Sequence, residues 1–175
     1  MKRTALILAF TAVPALTFAA GQNTITFTGQ VSDQTCAVSV NGNAANPVIL
    51  MPTVSAAALT AVGSTAGETP FTISVSGCTA PASNLAIKTA FLGNNVTSAG
   101  NLANAGTASS VQVQLLGAAG GSAVVLNGIT SVSGLTLNSG ATSASHDFAV
   151  RYISEAGAAK AGTVSATAQY ALDYL

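Results

Sequence analysis

Residues 162–175 read GTVSATAQYALDYL, and the fold turns on them. Val164, Ala166, Ala168, Tyr170, Leu172 and Tyr174 take alternate positions, and Thr163, Ser165, Thr167, Gln169 and Asp173 take the positions between. A period of two puts the apolar row on one side of an extended chain, so the segment is expected to be a β-strand with one buried face. As the last strand in the sequence it has no hairpin partner after it. One of its edges is therefore expected to need cover from elsewhere.

Moving outward, the same period recurs. Residues 146–153, 134–137, 111–116, 85–92, 71–78 and 35–40 are short strand candidates separated by Gly, Asn and Pro. In residues 71–78, Phe71, Ile73 and Val75 alternate with Thr72, Ser74 and Ser76. Residues 123–126 and 129–132 flank Asn127-Gly128, the dipeptide favoured in a tight hairpin turn that needs two positive φ values. Residues 93–110 are small and polar and are expected to form a long loop, and the Ala-rich residues 55–62 a helical turn or two ending at Gly63. Residues 47–51 are a short apolar run stopped by Pro52. At the other end of the chain, residues 20–31, AGQNTITFTGQV, alternate Ile25, Phe27 and Val31 with Thr24, Thr26, Thr28 and Gln30. Gly29 falls in the apolar register, where it marks a bulge or the close approach of another backbone. Many short strands in one chain imply an all-β sandwich.

Residues 1–19 are expected to be removed. Lys2 and Arg3 precede an apolar stretch of about a dozen residues, and Thr17-Phe18-Ala19 supplies small residues at a cleavage site, the pattern of a secretory signal peptide. The stretch is shorter than the roughly 20 residues a membrane helix requires. The mature chain, about 156 residues, suits one domain. It carries Lys88, Arg151 and Lys160 against Asp33, Glu68, Asp147, Glu155 and Asp173, a net charge of −2. Nothing in that balance offers a basic surface to nucleic acid or anionic lipid. Two cysteines, Cys36 and Cys78, in an exported chain are expected to form a disulfide rather than stay free thiols.

The inventory for catalysis is thin. His146 stands alone among histidines, and its neighbour Asp147 points to the opposite face of a strand, so the two do not act as a pair. No Gly-x-Ser-x-Gly, phosphate loop or Cys-x-x-Cys motif occurs, and the carboxylates are too scattered to suggest a cation site. No enzyme activity, cofactor or metal is expected.

In three places the residues resemble the type 1-like fimbrial subunits, or pilins, of the chaperone-usher pathway. The opening TITFTGQVSDQTCAV, residues 24–38, looks like a donor strand running into the first cysteine. Ser76-Gly77-Cys78 places the second cysteine after an alternating strand, and the ending combines the penultimate Tyr174 with Gly162 fourteenth from the end. The resemblance implies an immunoglobulin-like β-sandwich lacking its last strand, with residues 20–31 as donor extension and residues 32–175 as pilin domain. It further implies that Asn23, Ile25, Phe27, Gly29 and Val31 of one subunit enter a neighbour's groove. That groove would run beside Gly162, Val164, Ala166, Ala168, Tyr170, Leu172 and Tyr174, where a periplasmic chaperone binds first. The small Ala166 and Ala168 would leave room for Ile25 and Phe27. The implied partners are other pilin subunits, identical or not, the chaperone and the outer-membrane usher, and the implied destination is an extracellular fimbria that supports adhesion. A minor tip adaptor is the nearest alternative, and a secreted sandwich acting as a binding module is the alternative from another class. Against the module, the mature chain has four Phe and three Tyr, placed mostly at inward-looking strand positions.

Overall fold

A strand with one apolar face can bury it only against another such face. In a computed structural model, which describes residues 31, 32, 34 and 36–175, the strands do so in two antiparallel sheets. They are β1 (Ala37–Val40), β2 (Ser64–Ser76), β3 (Leu85–Gly93), β4 (Leu102–Ala103), β5 (Gln112–Leu116), β6 (Ile129–Leu137), β7 (Ser143–Ser154) and β8 (Ala168–Tyr174). One sheet has the order β1-β2-β7-β5-β4 and the other β6-β3-β8. A single 3-10 turn, Ala56–Leu59, comes after Ser55, whose Oγ accepts from the Ala57 amide at 3.2 Å and so satisfies one amide left free at the helix start.

Both sheets supply the core. Phe71 and Ile73 of β2, Phe148 of β7 and Phe91 of β3 are buried together. The Phe148 ring stacks on Phe71 at 5.7 Å and meets the edge of Phe91 at 5.2 Å, tying one sheet to the other. A second cluster, Val75, Cys78, Ile87, Leu135 and Leu137, fills the end where Cys36 and Cys78 are bonded. His146 lies between the sheets, its ring 4.6 Å from Phe148 and its Nε2 2.8 Å from the Gly117 carbonyl. Gly134 of β6 makes room for that ring, since a Cβ there would sit on it.

Tertiary packing moves several boundaries away from the sequence pattern. β2 starts at Ser64 rather than Phe71, passing Gly67 through a register shift between Ala66 and Thr69 and then Pro70. Pro70 is tolerated because β1 pairs only with residues 73–76, so β2 is an edge where the missing amide would point. The hairpin at Asn127-Gly128 does not form: Gly128 has a φ of 72° but Asn127 is not at positive φ. Instead the Val124 amide bonds Leu115 O at 2.8 Å and the Leu126 amide bonds Gly100 O at 3.0 Å, which buries both side chains in the core. Residues 129–132 and 134–137 are one strand, β6, opposite a register shift in β3.

The expected loop 93–110 is anchored by polar groups. It contains β4 and the buried Asn101, whose Nδ2 donates to Glu155 Oε1 at 2.6 Å. Thr97 Oγ1 donates to the same oxygen, Gln114 donates to Asn101 Oδ1 at 3.0 Å, and Arg151 donates twice to Gln114 Oε1 at 2.9 and 2.7 Å. The side chains of this network satisfy one another, so the loop is fixed at little desolvation cost.

Candidate functional site

β8 pairs with β3 from Ile87↔Tyr174 to Gly93↔Ala168, and the sheet order leaves it at the edge. Its inward row is incompletely covered. Tyr170, Leu172 and Tyr174 are half-buried, as are Val164 and Ala166 just before the strand, while Ala168 is exposed. None of the six is in the buried core, although Val164, Ala166, Tyr170 and Leu172 all pack against it. A strand closing a complete sandwich would bury such a row on both sides.

The opposite wall comes from β1 and residues 47–51. In residues 47–51, Pro47, Ile49 and Met51 are half-buried while Val48 and Leu50 are exposed by 83% and 88%. That is again a period of two, yet the segment makes no backbone hydrogen bond to another described residue. Ile49, Met51 and Val38 of β1 pack on the same buried cluster as the β8 row. Val38 and Leu172, one from each wall, also pack on the second cluster. Two half-buried apolar rows therefore flank one strip of core, with main-chain hydrogen-bonding capacity left along residues 47–51. Burial raises the Tyr174 phenol above its ordinary pKa, and that of Tyr152 likewise.

The groove's far end is built differently. Past Ala168, residues 162–167 continue extended beside residues 94–108 rather than β3, with Asn94 N bonded to Thr167 O at 3.1 Å, Ala105 N to Ser165 O at 2.8 Å and Ala108 N to Thr163 O at 2.9 Å. Thr107 and Thr163 exchange bonds: the Thr107 amide donates to Thr163 Oγ1 at 3.0 Å and the Thr163 amide to Thr107 Oγ1 at 2.9 Å. Asn104 braces both sides of this contact. Gly162 presses on the Thr107–Ala108 backbone so closely that a Cβ would overlap it.

The structure thus brings Val164, Ala166, Tyr170, Leu172 and Tyr174 together along one side of the groove and puts Gly162 in the brace at its end. Cys36 and Cys78 are bonded beneath the other end. Asn23, Ile25, Phe27 and Gly29, with residues 1–19, lie outside the described residues, and Val31 is fully exposed at 102%. Sequence reasoning passed over the wall at residues 47–51 and the Asn104 brace. The apolar run 48–51 between two prolines was a usable signal for the first; the second has none, because the residues Asn104 reaches across to, Thr163 and Ser165, are 59 and 61 residues away. Among the described residues no group of His, Cys, Asp or Glu could hold a metal, and no helix is long and apolar enough to cross a membrane.

Comparison with known proteins agrees with this geometry. Residues 25–175 match the family described as fimbrial protein. The chain is 37% identical over 162 residues to the F17 fimbrial protein of Escherichia coli, covering 86% of each chain. It is 32% identical over 177 residues to the type-1 fimbrial protein A chain of Escherichia coli K12, covering 97% of this chain and 93% of that one. A subunit in the structure of a chaperone-usher pilus shares the fold with a TM-score of 0.62 at 23% identity, covering 92% of this chain and all of that one. An all-β, immunoglobulin-like sandwich left open beside its last strand, with these relatives, has one reading: the chain belongs to the fimbrial protein family and is a structural subunit of a pilus.

Proposed function

We propose that the groove between residues 47–51 and β8 is filled by residues 20–31 of another subunit, so that pilins join head to tail. The observation that carries this reading is the half-buried apolar row on an edge strand facing a second extended segment with no backbone partner among the described residues. An inserted strand gains main-chain bonds of about 0.5–1.5 kcal/mol each and places alternate side chains on the core. Burying Ile25 and Phe27 there adds roughly 1.5–3 kcal/mol each. Donor and groove are different surfaces, so the contact propagates into an open filament. The subunit is exported through the periplasm, where a chaperone holds it until the usher passes it to an extracellular fimbria. Residues 1–19 serve as the export signal, and the role is structural rather than catalytic.

The test compares two proteins by thermal melting. One is the chain from residue 20 with Ile25→Asp and Phe27→Asp, which disables its own donor because each charge must enter an apolar site. The other is the same chain with wild-type residues 20–31 appended after Leu175 through a flexible linker, which presents a donor at high effective concentration. The appended form is expected to melt cooperatively and well above the first, whose open edge should make it aggregate once it is heated. Equal melting of the two would mean that the domain already owns all its strands.

A further inference from the structure

β3 supports the C-terminal segment only as far as Gly93↔Ala168, yet the groove row continues to Ala166 and Val164. Main-chain bonds from Asn94, Ala105 and Ala108 hold those two residues, and one side-chain amide ties the contact together. Asn104 Oδ1 accepts from the Gly106 amide at 2.8 Å and from the Ser165 amide at 2.9 Å, and Asn104 Nδ2 donates to Ala108 O at 2.8 Å and Thr163 O at 3.3 Å. All four bonding positions of the amide are used, two within its own loop and two across to the C-terminal segment. The orientation is fixed by the network, since turning the amide over would set donor against donor and acceptor against acceptor. The reciprocal Thr107–Thr163 pair sits beside it, and Gly106 lets Thr163 O approach where a Cβ would stand.

We propose that Asn104 is the positioning residue for the far end of the groove. It holds residues 162–166 in strand register so that Val164 and Ala166 are presented before any donor arrives. The inference rests on the donor-strand reading and deepens it. An extended segment beyond the reach of its sheet has many conformations, and a donor that had to order it would bind more weakly for that reason. Asn104, beside the main-chain bonds from Asn94, Ala105 and Ala108, lowers that cost before strand insertion. Only the part of a donor that lies on Val164 and Ala166 should feel its loss.

That locality supplies the test. The chain from residue 20 with Ile25→Asp and Phe27→Asp, with and without Asn104→Ala, is titrated with labelled peptides copying residues 20–31, 20–27 and 24–31, and binding is read by fluorescence anisotropy. The full peptide should bind the Asn104→Ala protein about tenfold more weakly, as expected when about 1.4 kcal/mol of hydrogen bonding and ordering is lost. One of the two shortened peptides should show the same loss, and the other, lacking the end that reaches Val164, should bind both proteins alike. Thr163→Val, which keeps Asn104 and removes only the bonds of the Thr163 hydroxyl to the Thr107 amide and hydroxyl, should give a smaller loss with the same peptide selectivity, and it stands in if Asn104→Ala does not fold. An equal loss for all three peptides would show a general effect on the fold and overturn the proposal, as would no loss for any. Failure of all three peptides to bind the protein with Asn104 intact would overturn the donor-strand reading itself, and the positioning role with it.

Discussion

Truncating Leu172 to alanine should cost different amounts in the open and the completed subunit. Leu172 lies on the groove row, is half-buried, and packs against both core clusters. Full burial of a leucine is worth about 1.5–3 kcal/mol, so a half-buried one contributes about half of that in the open form. Once a donor strand lies against it the site becomes closed core, where Leu→Ala costs about 2–5 kcal/mol because a cavity is left. The expected cost of Leu172→Ala is therefore about 1 kcal/mol in the open form and about 3 kcal/mol in the completed one. Urea titration of the donor-disabled chain and of the form with residues 20–31 appended after Leu175 measures both. Ile73→Ala is the control: Ile73 has no exposure in the open structure, so its loss, about 2–5 kcal/mol, should be the same in both forms. An equal cost of Leu172→Ala in the two forms, with the control behaving as stated, would refute the idea that residues 20–31 fill this groove.

Replacing Cys36 and Cys78 together with serine opens a loop of sequence separation 42 and should lower stability by about 4 kcal/mol on the chain-entropy account, read as a fall in the urea midpoint of the completed form. Gly134→Ala should destabilise strongly, because Gly134 has a φ of 141° and the His146 ring occupies the space a Cβ needs; adding His146→Ala should restore part of the loss, and a double-mutant cycle by thermal melting measures the coupling. Tyr152 and Tyr174 have pKa values raised by desolvation, so the fold favours their neutral phenols. Their contribution is complete below the usual tyrosine pKa of about 10 and is lost as pH rises through the higher folded values, so Tyr174→Phe should make stability fall less steeply above about pH 10 in alkaline melts.

Legibility differed by element, and the reason is range. β3 and β7 were readable because their alternation is local and each faces the core along its length: the buried Ile87 and Phe91 in one, Phe148 and Val150 in the other. The start of β2 was hidden because Gly67 and Pro70 look like punctuation, while the edge position that makes them harmless is a property of the sheet. Asn127-Gly128 has the local chemistry of a hairpin, but burying Val124 and Leu126 against the core outweighs a turn preference. At the site, the row from Val164 to Tyr174 was visible as periodicity. Its opposite wall was visible only in part, since residues 47–51 read as a short apolar run, and the period of two appears only in which of them the fold buries. The brace at Asn104 left no trace, because Asn, Gly and Thr in a polar stretch describe any loop, and only the folded chain shows which backbone they meet.

The bond between Cys36 and Cys78 matters in another way once subunits are joined in a fibre. If residues 20–31 fill a neighbour's groove as proposed, tension on a pilus enters each domain through the segment just before Cys36, which leads into the four-residue β1. A strand that short has few hydrogen bonds to β2 with which to resist a pull on its end, and the wall of the groove would go with it. The covalent link sends the load past β1 to the end of the 13-residue β2, which is paired along most of its length with β7. There the pull is shared among the many more hydrogen bonds between β2 and β7. The cross-link makes the subunit a tensile element, able to bear a pull that its weakest strand could not.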